Sequence, residues 1–421
     1  MLLTIAIVFG LTAVFSVFNE RWLGLQQTIG LMLIALVGSL VLAFLNSAGL
    51  ATLFLEEQVF VEGLALNETL LNGVLCFMLF AGSINVKSGT LDQEKWVIIT
   101  LAIGATLLAA TLIGVSMWGV LGVLGISIGF IYAFIFGALI SPTDPIAALA
   151  ILGKVGLPPR LEAIINGESL FNDGVGVVIF TIGLAIASGA SQPTAGDAVV
   201  MFLREVLGGV ALGLCASFVM HRLFLRTKDY GTQVLLSLSV VALAYSISES
   251  VEVSGPIAMV VTGLVIGNYS MPRIVKTERE KFKIFWQAVD EGLNSSLFVL
   301  MGLHIALVPM LDTWVPTAAC AIVVCLAARW VSVYLPLSGL VACKVMKADK
   351  IGLSNLLTWG GLRGGLALAM ALSLPAGPEK NLILHMTYGV VAFSIIVQGL
   401  SIARIFKADA LKRLLPDDQG A

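Results

Sequence analysis

Inside an apolar stretch, the chain reads Glu168-Ser169-Leu170-Phe171-Asn172-Asp173-Gly174. Two carboxylates, one hydroxyl and one carboxamide would therefore lie close together on any helix formed there. An ionised Asp at the centre of a bilayer helix costs about 2.5–3.5 kcal/mol on insertion scales, and such residues mark ion or proton paths. Whether this stretch is such a path depends on whether the rest of the chain spans a membrane.

The composition answers that question. Of the 421 residues, 58% are hydrophobic and 12% are charged, which is too apolar for a water-soluble domain. Apolar runs of about 17–25 residues, the length of a membrane-spanning helix, recur along the chain. The period-two alternation of an outer-membrane barrel is absent. The sequence therefore predicts an all-α polytopic membrane protein.

The spans and their orientation follow from the apolar runs and the basic residues. Thirteen spans are predicted, roughly at 2–18, 28–45, 68–86, 97–118, 128–152, 160–187, 198–220, 231–249, 255–269, 290–308, 315–343, 351–374 and 380–405. With the N-terminus outside and the C-terminus in the cytoplasm, 20 of the 24 Lys and Arg residues fall on the cytoplasmic side and Lys380 alone falls in an outer loop. Because cytoplasmic loops are enriched in Lys and Arg, we expect this orientation. The sequence shows no long tail and no targeting segment, so we expect a prokaryotic inner membrane. The charged segment 273–291 is predicted to lie along the cytoplasmic interface as a linker helix before the tenth span.

Two of the predicted spans are interrupted. The fifth contains Ser141-Pro142-Thr143-Asp144-Pro145, and the twelfth contains Gly360-Gly361-Leu362-Arg363-Gly364-Gly365. Proline removes an amide donor and clashes with the preceding turn, and each glycine weakens a helix by roughly 1 kcal/mol relative to Ala, so both helices should open. Inverted repeats of spans 1–6 and 8–13 would put the two breaks at equivalent positions. Paired breaks of this kind are typical of a midplane site in a secondary transporter.

These three motifs, in this order, resemble the sodium/proton exchanger family of monovalent cation:proton antiporters, and so does the segment 253–268. One departure is Ala81 in the third span, where many relatives carry an acidic residue. The resemblance implies a homodimer in which a mobile core moves against a static dimerisation domain by elevator-type alternating access. It divides the chain into dimerisation-domain helices in 1–90, core helices in 91–187, a linker helix and dimerisation-domain helices in 188–310, core helices in 311–406, and a short cytoplasmic tail in 407–421.

The site chemistry is predicted to centre on Asp173. Helical spacing puts Ser169 and Asp173 on one face, and Glu168 and Asn172 on another. We expect the Asp173 carboxylate to bind either a proton or a monovalent cation. Small hard cations prefer oxygen ligands, and the predicted ligand set is Asp173, Asp144, Thr143, Ser169 and Asn172. An Asn at position 172 resembles the electroneutral branch of the family, since one titrating carboxylate can trade one proton for one cation.

Other charged residues are predicted to support this site. As the resemblance suggests, Glu168 and Arg329 should form a buried ion pair, although Glu168 could instead be a second proton carrier. Arg363 should cap the carbonyls opened at the twelfth-span break and offset Asp144, or else pair with Glu168. Acidic side chains at 290–291 fit the start of the tenth span, where acids favour a helix N-terminus. A cytoplasmic cation funnel is the alternative for them.

The predicted function is a secondary antiporter that exchanges cytoplasmic sodium, lithium or potassium for protons, embedded in membrane lipid. No cofactor, nucleic acid or ATP is expected, since the chain carries no Walker-type phosphate-binding motif. A cation channel or gated potassium efflux protein on the same scaffold is the alternative. Enzymatic activity is not expected: the Tyr-Asp and Gly-x-Gly-Asp pairs of intramembrane aspartyl proteases do not surround Asp144 and Asp173.

Overall fold

The computed structural model describes residues 2–47, 73–86, 88–189, 194–227, 229–307 and 314–415. This part of the chain is helical throughout, with short π-helical turns inside several helices and no β-strand. The helices are α1 Leu2–Phe18, α2 Gln27–Ser47, α3 Leu75–Ile84, α4 Ser88–Ile99, α5 Thr106–Val123, α6 Phe130–Ile140, α7 Ile146–Val155, α8 Pro159–Ala187, α9 Ala195–Phe224, α10 Tyr230–Ser250, α11 Gly255–Val265, α12 Lys276–Leu307, α13 Trp314–Ala342, α14 Lys350–Gly360, α15 Gly365–Leu372, α16 Pro378–Phe393, α17 Gly399–Ile405 and α18 Ala408–Leu414.

Helices occur at every predicted span, and for the third span the residues before 73 lie outside the described part. Among the described residues, eight helices are long and apolar enough to cross a membrane: Ile5–Leu23, Gln27–Asn46, Asp92–Val123, Pro159–Ala187, Gly196–Phe224, Tyr230–Ser250, Val315–Ala342 and Pro378–Ile405. The third span and the two halves of the fifth are shorter apolar helices. The all-α polytopic fold is therefore confirmed, while the count of thirteen crossings stays a prediction.

Both predicted interruptions are present. Residues 141–145 separate α6 from α7, and residues 361–364 separate α14 from α15. The amide of Asp144 donates to the carbonyl of Leu362 at 2.8 Å, so the two extended segments cross as one antiparallel bridge. Each break thereby satisfies part of the backbone that the other exposes, which lipid could not do.

Glycine permits this crossing because a side chain at either position would collide with the opposite segment. A Cβ atom on Gly361 would lie 2.9 Å from Cγ2 of Thr143, and one on Gly364 would lie 2.9 Å from Cβ of Asp144. Both distances are shorter than real Cβ contacts. The glycines of the twelfth span therefore serve the close approach of two backbones.

The linker helix predicted at 273–291 is not a separate element. Helix α12 runs without a break from Lys276 to Leu307, so the charged segment and the tenth span form one helix. Phe282 and Trp286 are fully buried, and the Trp286 ring meets Phe80 edge to face at 4.7 Å between ring centroids. The apolar face of this segment packs against protein, and the prediction of a separate linker helix was wrong.

Buried apolar side chains form separate clusters. The largest is built mainly from α4–α8 and α13–α18. A second is built mainly from α3 and α9–α12, and a third joins α1 and α2 to the second half of α12. The α8 helix, which carries the Glu168–Gly174 motif, packs at the boundary between the first two clusters.

Candidate functional site

Helix α8 carries the central motif against the fifth-span break. It begins with Pro159 at its first position, where the missing amide donor costs nothing. Gly176 faces the break so closely that a Cβ atom there would lie 2.1 Å from Cγ of Pro142. The opposite neighbour is α11, where a Cβ on Gly174 would lie 2.7 Å from Cγ1 of Ile257. Two glycines thus let α8 lie between the break and α11.

One face of α8 carries a buried ion pair. Arg329 Nη2 donates to both carboxylate oxygens of Glu168, at 2.9 and 3.0 Å, and lies 3.3 Å from Thr143 Oγ1. The Asn172 amide nitrogen donates to Glu168 Oε1 and to Thr143 Oγ1, both at 3.0 Å. The exposed fraction of the side chain is 1% for Arg329 and 3% for Glu168. This network ties α8, α13 and the fifth-span break together.

The adjacent face of α8 borders a cavity of about 390 Å³, into which Ser169 and Asp173 project together with Asp144 of the break. The Ser169 hydroxyl donates to the carbonyl of Thr143 at 2.8 Å. Asp144 Oδ1 accepts from the amide of Ile146 at 2.9 Å, at the start of α7. Among the described residues, the Asp173 carboxylate has no hydrogen bond or ion pair, so it is available to a ligand in the cavity.

The predicted oxygen set is therefore divided between two surroundings. Asp173, Asp144 and Ser169 line the cavity, whereas the side chains of Thr143 and Asn172 belong to the ion-pair network. Asn172 is fully buried, and its Oδ1 atom has no described hydrogen-bond partner. The division follows the two faces expected from helical spacing, since residues one position apart point about 100° apart around the helix.

Arg363 lies at the crossing of the two breaks. Its Nη1 atom donates to the carbonyls of Ser141 and Pro142, at 2.7 and 2.9 Å. These carbonyls lie in the fifth-span break, just after α6. The prediction that Arg363 caps the carbonyls of its own break, in the twelfth span, was therefore wrong. The described partner of Glu168 is Arg329, not Arg363. A cation suits the C-terminal end of α6, and the Asp144 carboxylate suits the N-terminal end of α7, because of the helix dipoles.

The remaining walls of the cavity come from α3, α12 and α15. Ala81 and Gly82 of α3 contribute no charged group. Four polar residues of α12 do line it, namely Gln287, Asp290, Glu291 and Asn294. The assignment of the two acids to a helix start was wrong, because α12 begins at Lys276. Both acids border the cavity, and their role as a cation funnel stays a prediction. The two amides were missed, although their spacing of seven residues from 287 to 294 places them on one helix face.

Two helices broken at a shared crossing point, beside a cavity with a carboxylate available to a ligand, define a secondary transporter of small ions. No group of three or more His, Cys, Asp or Glu side chains suited to a resident metal occurs among the residues that the structure describes. The family model for the transmembrane sodium/hydrogen exchanger matches residues 3–408, and the chain belongs to this family as an integral membrane protein.

Individual relatives agree with this assignment. The Na(+)/H(+) antiporter NhaP of Pseudomonas aeruginosa is 38% identical over 100% of both chains. The Na(+)/H(+) antiporter NhaH of Halobacillus dabanensis is 31% identical over 83% of this chain and 85% of its own. Among solved structures, the sodium proton antiporter MjNhaP1 of Methanocaldococcus jannaschii at pH 8 has a TM-score of 0.76 at 17% identity, covering 99% of each chain. This last likeness supports the fold.

Proposed function

We propose that this protein is a secondary antiporter that exchanges cytoplasmic sodium, or another monovalent cation, for protons. The observation that carries the proposal is the Asp173 carboxylate, which lines the cavity beside the crossed breaks and has no hydrogen bond among the described residues. A proton and a cation compete for it, with Asp144 and Ser169 as further oxygen groups in the cavity. The sodium/proton antiporter names of the relatives support the same substrates.

The exchange is proposed to be electroneutral. Asn172, next to Asp173, is a neutral amide that donates both of its described hydrogen bonds into the ion-pair network. Glu168 in that network is held by Arg329. Asp173 therefore trades one proton for one monovalent cation, and the loaded carboxylate has the same net charge in both half-cycles.

Alternating access is proposed to move α4–α8 and α13–α17 as a core against α1–α3 and α10–α12, within a homodimer. The separate apolar clusters support this division, since side chains pack mainly within one group or the other. Gly174 has no side chain that would project from α8 toward α11. The contact between these helices is apolar and contains Val178, Ile182 and Ile257. With the predicted orientation, the cavity extends toward the cytoplasmic end of α3 at Asn85, which supports an inward-facing state.

The test is proton flux in proteoliposomes after a sodium, lithium or potassium pulse, with the membrane potential clamped at zero. We expect cation-triggered flux in the wild type and none in Asp173→Asn. Because protons compete with the cation, the apparent KM for sodium should rise as the pH falls. Asp92→Asn, which alters an exposed Asp of α4, is the matched control and should retain flux. Full exchange in Asp173→Asn, or conduction that needs no proton gradient, would refute the proposal.

A further inference from the structure

The α12 helix presents a polar face to the cavity on the wall that does not carry Asp173. Its cavity-lining residues include Gln287, Asp290, Glu291 and Asn294. The spacing of three, four and seven residues keeps these side chains on one side of the helix. Nothing in the proposed exchange at Asp173 uses them.

Asn294 is the unexplained member of this face. Its residue is 4% exposed, and its side chain makes no hydrogen bond among the described residues. Both serines that follow it have partners, since Gln27 Nε2 donates to Ser295 Oγ at 3.1 Å and Ser296 Oγ donates to the carbonyl of Gly292 at 2.8 Å. The amide atoms of Asn294 are not among the described buried atoms that lack a partner, so they are open to the cavity. Because Asn294 lines the cavity, whatever occupies the cavity must supply its partner.

Asp290 lies one turn before Asn294, and side chains four residues apart are neighbours on a helix. Its carboxylate also has no hydrogen bond or ion pair among the described residues. The neighbouring acid is differently placed, because Gln287 Nε2 donates to Glu291 Oε1 at 2.8 Å. A carboxylate oxygen and a carboxamide oxygen, both without a protein donor, are the ligands that a small hard cation takes.

We propose that Asp290 and Asn294 form a second cation position, which holds a monovalent cation, still partly hydrated, before it reaches Asp173. This inference rests on the proposed antiport function. The second half of α12 is bonded to α1 and α2, through Thr12 to Ser296 and through Gln27 to Ser295. The second half of α12 is therefore part of the static group, against which α8 moves in the proposed cycle. The second position does not move when Asp173 carries its cation through the membrane. Its effect is to load Asp173 from the cavity side only.

The first experiment measures the apparent sodium affinity of exchange from the cavity side. Asn294→Ala and Asp290→Asn should each raise the sodium KM about fivefold, the loss expected for one polar contact, and keep most of the maximal rate. Gln287→Ala is the matched control on the same helix face. It should leave the KM unchanged because the Gln287 amide already donates to Glu291. Asp290 is half-buried, so its isosteric variant tests the proposal even if Asn294→Ala does not fold.

The second experiment separates this inference from the exchange proposal. In proteoliposomes of Asp173→Asn, a sodium concentration jump should still produce a transient current, because the cation enters the second position without being exchanged. The current should disappear in the double variant Asp173→Asn with Asn294→Ala. Two results would overturn the second position while leaving exchange at Asp173 intact. One is the absence of a transient current in Asp173→Asn, and the other is a wild-type sodium KM in both α12 variants. Continued exchange in Asp173→Asn would instead overturn the proposed function.

Discussion

Breaking the Glu168–Arg329 pair should destabilise the protein strongly. Both side chains are almost completely buried, and Arg329 Nη2 contacts both carboxylate oxygens. Replacing Arg329 with Met would leave the Glu168 carboxylate with the Asn172 amide as its described donor. Replacing Glu168 with Gln would leave a buried guanidinium charge. Removing one partner of such a pair costs about 3–5 kcal/mol.

The expected shift in melting temperature follows from chain length. At about 2.1 cal/mol/K per residue over 421 residues, a loss of that size lowers the midpoint by roughly 3–6 °C. The double variant Glu168→Gln with Arg329→Met should recover most of the loss, because no uncompensated charge remains. Two guanidinium nitrogens of Arg329, Nε and Nη1, already lack a described partner. Replacing both Glu168 and Arg329 therefore breaks few hydrogen bonds.

The assay is thermal unfolding of the purified protein in detergent, followed by exchange in proteoliposomes. Glu252→Gln is the control, since it breaks an ion pair with Arg204 in which both side chains are well exposed, and a solvated pair is worth less. If Glu168→Gln keeps the wild-type midpoint but changes the number of protons moved per cation, the structural role is wrong. Glu168 would then be the second proton carrier that the sequence left open.

Three further variants test the surroundings of the site. Gly176→Ala should cost about 1–3 kcal/mol in thermal unfolding, because its Cβ would lie 2.1 Å from Pro142 Cγ and a proline ring cannot swing aside; a wild-type midpoint would contradict the close packing. Asn172→Asp should make exchange respond to an imposed membrane potential, and an unresponsive rate would refute the stoichiometric role of the amide. Tyr388→Phe removes a 2.6 Å hydrogen bond to His304 that joins α16 to α12. Losing about 1 kcal/mol there should change the ratio of inward- to outward-facing molecules about fivefold, as measured by cysteine accessibility. An unchanged ratio would show that the bond does not favour either state.

The breaks in the fifth and twelfth spans could be predicted from sequence because their cause is local. Pro142 and Pro145 lack amide donors whatever surrounds them, and clustered glycines weaken any helix. The acceptors of Arg363 could not be predicted in the same way. They are the carbonyls of Ser141 and Pro142, which meet Arg363 only because two segments more than 200 residues apart in sequence cross in space.

The residue spacing within α8 also predicted part of the site. It separated the Ser169–Asp173 face from the Glu168–Asn172 face, but it could not say which face borders a cavity. That depends on packing against α3, α11 and α12. The same limit explains the segment 273–291, whose charges suggested a membrane surface. The burial of Phe282 and Trp286 depends on the aromatic side chains that α3 and α9 bring to them.

The charges at the crossing explain how the proposed exchange at Asp173 could proceed without disturbing the fold. The C-terminal end of α6 is capped by Arg363, and the N-terminal end of α7 is offset by Asp144. The other buried acid, Glu168, is held by Arg329. Each of these charges has a hydrogen-bond partner within the protein. Asp173 has none among the described residues, so its ligand alone completes the charge balance of the core. In the proposed alternating-access cycle, an empty, ionised Asp173 would leave an uncompensated charge on the moving core, which costs far more than the loaded state. Under the proposed exchange, movement of an unloaded carrier is disfavoured because the core keeps one carboxylate, Asp173, without a fixed partner.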